Sequence, residues 1–158
     1  MNSLIPKFKN FGNFTGKHRM PQKEELIKGL NGDLAREYKT IIQYVVFSST
    51  LKGAQYGNIA EQLREHASEE LKHAILVAEQ VDYLGGTPIV EPAKVETSDD
   101  SRVMLELDLK AEQETIRNYG ERIKQAQDVG EFGIASVLYG IIRNEQDHAI
   151  DLKDALGA

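Results

Sequence analysis

The chain predicts an all-α fold: a four-helix bundle with one long crossover between the second and third helices. Three observations carry this. Apolar residues recur in steps of three, four or seven along four segments, the spacing of a helix face turned to a core. The breaks between segments run short, long, short. The two halves also repeat one another: Glu70 follows Glu37 by 33 residues, Glu145 follows Glu112 by 33, and Glu112 follows Glu37 by 75.

Each element has its own signals. Residues 1–21 read as an N-terminal tail, with Lys7, Lys9, Lys17 and Arg19 among Phe8, Phe11 and Phe14 and no acid before Glu24. The expected bundle domain is 22–158. Pro21 suits a first helical turn, and the first seam runs through 26, 30, 34, 41, 44, 48 and 51. Gly53 and Gly57 flank a short turn. The second seam, 59, 63, 77, 81 and 84, stops at Gly85-Gly86, a common helix terminator. Residues 85–98 hold two Gly and two Pro with little periodicity and read as a loop. The third seam runs through 105, 109, 116, 119, 123 and 126, and Gly130 and Gly133 bracket the next turn. The fourth runs through 134, 138, 141, 152 and 155.

Short connections make helices one and two antiparallel neighbours, and likewise three and four. A helix of about 28 residues spans roughly 42 Å, and fourteen extended residues reach about 46 Å. The middle loop can therefore run the length of the bundle and set helices two and three parallel. The same loop would also fit an all-antiparallel bundle with slack.

Composition excludes several functions. At 158 residues, 41% hydrophobic and 28% charged, the chain suits one globular domain. No apolar run is long enough for a membrane span, and the N-terminus lacks the apolar centre of a secretory signal, so a cytoplasmic location is expected. The absence of cysteine removes disulfides, thiolate metal sites and cysteine nucleophiles. A net charge of −6 argues against a nucleic-acid binder. The basic tail is the one feature that favours an arm for nucleic acid, an anionic surface or a partner chain.

Residues omitted from the seams carry the chemistry. Glu37 fills the missing step in the first helix, His66, Glu70 and His73 those in the second, Glu112 that in the third, and Glu145 and His148 those in the fourth. All would face the core, where an unpaired carboxylate costs several kcal/mol, so a row of four glutamates needs cations. Residues i and i+3 share a helix face, so each Glu-x-x-His can offer both side chains to one metal. Carboxylates and imidazoles suit iron or manganese, with zinc as a further option. Tyr44 and Tyr119 each follow a lone glutamate by seven and have two compatible readings: simple core tyrosines whose hydroxyls need a partner, or tyrosines whose hydroxyls orient a ligand carboxylate across the bundle. His66 has Ile141 as its repeat partner and so breaks the symmetry; it reads as a packing or supporting residue, with contact to a metal or to an entry path as the alternative. Glu65 and Glu69 read as solvated, and His18 as an exposed tail residue.

Over residues 22–156 the sequence resembles the ferritin-like superfamily, and bacterioferritins most closely. LNGDLAREYKTIIQY resembles the first-helix motif, EELKHA followed by LGGTP the second helix and its exit, and NEQDHAIDL the fourth. The matching positions imply a di-iron ferroxidase site of Glu37, Glu70, His73, Glu112, Glu145 and His148, catalytic residues and metal ligands at once. It would hold two iron ions per chain, with Glu70 and Glu145 bridging, Glu37 and Glu112 terminal, and one histidine on each iron. The implied function is oxidation of Fe(II) by dioxygen or peroxide for iron storage or detoxification, in a homo-oligomer. Leu71 stands where bacterioferritins carry a haem-ligating methionine, so no haem is expected. The sequence ends ten residues past His148, so the family's short fifth helix is expected to be missing, which counts against a 24-subunit cage. Rubrerythrins resemble the bundle too, but their cysteine-ligated iron domain is excluded by composition, and Thr115 stands where they carry an extra glutamate. A cage-free peroxide-reducing enzyme of that type is the second expectation, followed by a manganese catalase. From another class comes a DNA-protecting or purely structural bundle.

Overall fold

The computed structural model describes residues 19–157, with side chains from residue 22 onward. The tail expected over 1–21 therefore lies mostly outside the described residues. The chain forms α1 (Arg19–Thr50), a 3-10 turn (Ala54–Tyr56), α2 (Gly57–Tyr83), α3 (Ser101–Asp128) and α4 (Phe132–Leu156). Helix α1 begins three residues before the expected boundary. No β-strand occurs among the described residues.

Local chemistry sets the ends. Asp100 caps α3 by accepting from the Val103 amide at 3.0 Å, satisfying a donor that the first turn leaves free. The turns after α2 and α3 carry Gly85 at φ +80° and Gly130 at φ +83°, backbone conformations that a side chain disfavours.

Helix α1 packs beside α2 and α3, and α4 completes the square beside the same two. The crossover, Leu84 to Asp100, climbs alongside α1. Asn31 receives the Ile89 amide at 2.8 Å, the Ala93 amide bonds the Ala35 carbonyl at 2.8 Å, and the Lys52 amide donates to Ser101 Oγ at 2.9 Å. Helix α3 thus starts where α1 ends. It runs antiparallel to α1 and parallel to its diagonal, α2. Of the two arrangements the loop allowed, this is the bundle with one long crossover.

The core divides into two apolar clusters. One holds Leu26, Leu30, Leu34, Val77, Val81, Ile123 and Leu138; the other holds Phe47, Ile59, Leu63, Met104, Leu105 and Leu152. Between them lies a polar waist of Glu37, Glu70, His73, Glu112, Glu145 and His148, none exposing more than 4% of its surface. On α3 the structure departs from the expected seam at polar residues: Asp108 and Thr115 are buried, whereas Leu109 and Ile116 are only half-buried.

Candidate metal centre

Each helix contributes to the waist at the expected step, and all six expected residues come together. They form two quartets whose potential ligand atoms lie within 4.8 Å of one another: Glu37, Glu70, His73 and Glu145 in one, Glu70, Glu112, Glu145 and His148 in the other. Glu70 and Glu145 belong to both. His73 Nδ1 is 3.4 Å from Glu70 Oε2 and 3.1 Å from Glu145 Oε1, while His148 Nδ1 is 2.9 Å from Glu70 Oε1 and 3.3 Å from Glu145 Oε2. Each of these two carboxylates therefore turns one oxygen to each imidazole. Glu37 and Glu112 sit at the outer ends, each 3.8 Å from the nearer histidine.

The inward atoms are close but not aligned as hydrogen bonds. Glu37 Oε2, Glu70 Oε1, both oxygens of Glu145, His73 Nδ1 and His148 Nδ1 are buried without a hydrogen-bond partner. Orphaned buried polar atoms are costly, and six of them converging on one space fit a group that takes electron pairs. Two divalent cations would balance four carboxylates and use both nitrogens.

The protonation states express the same frustration. Burial pushes Glu37 well above the usual carboxylate range, and the charges of Glu70 and Glu145 add to this. Glu112 is raised likewise, by burial and then by Glu145 and Glu70. Burial favours neutral His73, but Glu145 and Glu70 outweigh it and raise the imidazole to about 9. In His148 burial is likewise outweighed, by Glu112, Glu145 and Glu70, and its pKa rises. Glu70 resists its own burial because His148 and His73 hold it below the usual range.

The tyrosines act across the α1–α3 interface. Tyr44 on α1 donates to Glu112 Oε1 on α3, and Tyr119 on α3 donates to Glu37 Oε1 on α1. The second oxygen of Glu37 is left facing the cluster.

Sequence reasoning missed three partners. Glu69, read as solvated, is 37% exposed, but its Oε2 lies 2.8 Å from His148 Nε2. Asp108 is fully buried one turn before Glu112. Asp33 is buried in a pair with Arg122 at 2.7 Å. The 75-residue repeat could have found the two aspartates, since Asp33 and Asp108 are 75 apart. His66 lies beside the cluster as expected: its ring stacks on His148 at 4.0 Å and its Nε2 is 3.1 Å from Asp151 Oδ2.

A four-helix bundle with one long crossover and a waist of two shared carboxylates, two outer carboxylates and two imidazoles defines a class of helical carboxylate–histidine proteins. Comparison with known proteins gives the family. Residues 27–158 match the family model of the ferritin-like domain, and the chain belongs to this family. It is 32% identical over 132 residues to a bacterioferritin of Desulfovibrio desulfuricans, covering 83% of this chain and 74% of that one. Among solved structures it is similar to a ferritin-like, diiron-carboxylate protein from Bacillus anthracis str. Ames, with 36% identity, a TM-score of 0.82, and coverage of 85% of this chain and 97% of that one. It is also similar to a dodecameric thioferritin, a bacterioferritin-related protein from Bacteroides fragilis, with 25% identity, a TM-score of 0.79, and coverage of 89% and 90%. At family level these relatives support an oxidoreductase of the iron-storage and ferroxidase kind. Among the described residues no helix is long and apolar enough to cross a membrane.

Proposed function

We propose that this chain is a di-iron ferroxidase that takes up two Fe(II) ions between Glu37, Glu70, His73, Glu112, Glu145 and His148 and oxidises them with dioxygen or peroxide, in the service of iron storage or detoxification. The observation that carries the reading is the division of Glu70 and Glu145, each turning one oxygen to His73 and the other to His148. A carboxylate shared in this way suits two cations held side by side, as two-metal chemistry requires. Four carboxylates and two imidazoles favour iron, with manganese or zinc as competitors.

As substrate, each Fe(II) gives up one electron to the oxidant. The chain's residues supply the rest. Glu37 and Glu112 are held in place by Tyr119 and Tyr44, so each keeps a fixed oxygen toward the cluster. The apolar layers above and below restrict water and strengthen the charge interactions between them. Leu71, 53% exposed on the outer side of α2, offers no atom to a haem iron, and the proposed protein is haem-free. The homo-oligomer proposed for this chain follows the dodecamer of the Bacteroides fragilis relative.

The test is iron retention. Excess Fe(II) is added to metal-free protein in air, loose iron is removed with a chelator, and iron per chain is counted. Wild type should retain at least about two per chain, and Glu70→Ala or His73→Ala far less. Many irons per chain would indicate a mineral store in a closed shell, about two an enzyme without a store. No retained iron, with no difference between wild type and the variants, would overturn the reading.

A further inference from the structure

The pseudo-symmetry of the cluster breaks on one side. His148 Nε2 faces Glu69 Oε2 at 2.8 Å, and His66 stacks on the His148 ring at 4.0 Å while Asp151 holds the His66 Nε2 at 3.1 Å. Under the 75-residue repeat the places of Glu69, His66 and Asp151 beside His73 fall to Asn144, Ile141 and Leu76. One imidazole has a carboxylate on its outer nitrogen and an aromatic plate against its face. At the places that the repeat assigns beside the other, the sequence has an uncharged amide and two aliphatic residues.

This matters because a histidine binds metal through one nitrogen while the hydrogen bond at the other fixes its tautomer and its basicity. A carboxylate at Nε2 keeps the proton there, so that the proton a metal displaces is the one on Nδ1, and makes Nδ1 a stronger donor once that proton has left. Resting on the two-metal reading above, we infer that Glu69 is a positioning residue that makes the two metal positions unequal, so that the position of Glu70, Glu112, Glu145 and His148 fills first and the position of His73 second. His66, clamped by Asp151, keeps the His148 ring from turning.

His66, Glu69 and His148 also lie close enough together to hold a cation themselves. That use is disfavoured on chemical grounds. With His148 Nδ1 committed to the cluster, a second cation on Nε2 would require an imidazole stripped of both ring protons, and Glu69 would have to leave the hydrogen bond it makes.

The inference is tested by titrating metal-free protein anaerobically with Co(II), following the visible spectrum and the heat. Wild type should show two resolved steps of one equivalent each. Glu69→Ala should weaken the tighter step by about 10–100-fold and merge the two, with Glu69→Gln in between and Asn144→Ala unchanged. His73→Ala should keep the tight step, and His148→Ala should lose it. Glu69→Ala leaves buried His148 Nε2 without its acceptor, which lowers the melting temperature, so the isotherm is read well below that temperature. Glu69→Gln, whose amide oxygen still accepts at Nε2, separates folding from binding. Two equal steps in wild type, or an unchanged isotherm in Glu69→Ala, would overturn the inference while leaving two-metal binding intact. So would a third equivalent lost with Glu69, which would make the trio a cation site. No binding at all would remove the two-metal reading together with it.

Discussion

Asp33 and Asp108 stand 75 residues apart, each buried one turn before an outer glutamate of the cluster, yet Asp33 is paired with Arg122 at 2.7 Å while Asp108 receives only the Gln43 amide, at 3.0 Å. The second oxygen of Asp108 has no hydrogen-bond partner. Two equivalent backbone places thus hold carboxylates in opposite electrostatic settings, and the difference is measurable.

Burial raises Asp108 from 3.8 to about 8, against the weaker opposing pull of Gln43 and Lys39. A folded-state pKa above the unfolded one means that the folded chain binds the extra proton. The stability this confers is complete below about pH 4 and is lost as pH rises through 8. Asp108→Asn removes that dependence. Its stability relative to wild type should grow by about 1.4 kcal/mol per pH unit between pH 5 and 8, measured by urea unfolding of the metal-free protein. A constant difference across that range would count against a protonated Asp108.

Metal uptake should displace protons. Without metal, Glu37, Glu112, His73 and His148 all have raised pKa values. Two divalent ions would therefore exchange for as many as four protons, keeping the buried charge balanced. Affinity should rise with pH through the neutral range, because His73, at about 9, is protonated there and must give up its proton. Calorimetry of Zn(II) binding in buffers of different ionisation enthalpy counts the protons released; a count near zero at pH 7 would contradict the protonation states described.

The tyrosine bonds should matter to both stability and binding. Tyr119→Phe leaves Glu37 Oε1 buried without its donor, which costs about 1–3 kcal/mol. It also frees the carboxylate to turn, and loss of such a supporting bond weakens metal binding by about 10–100-fold. Tyr44→Phe should do the same to Glu112. Melting curves with and without Zn(II) separate the two effects. If metal stabilises Tyr119→Phe as much as wild type, the bond has no part in orienting the carboxylate.

The pattern of residues suffices for the four helices, the two helix pairs and the six residues of the waist. All of these follow from periodicity: a residue's place on a helix face is fixed by its spacing, and a repeat of 75 residues puts the same side chains on the same faces twice. The loop between α2 and α3 was legible only as a length that allowed two paths. The bonds of Asn31 and Ala35 to the crossover, and of Lys52 to Ser101 at the start of α3, select one of them, because backbone groups of a loop must find partners wherever the surface offers them. Tertiary structure alone decided the company each polar group keeps. Glu69 looked solvated because it lies at the edge of its helix face, and only the approach of α4 brings His148 to it. Asp108 was passed over because a buried aspartate disrupts an apolar seam, and nothing in the local spacing reveals that Arg122 reaches Asp33 while only Gln43 reaches Asp108. Spacing places a side chain on a face; the charge that face meets is set by the neighbouring helix.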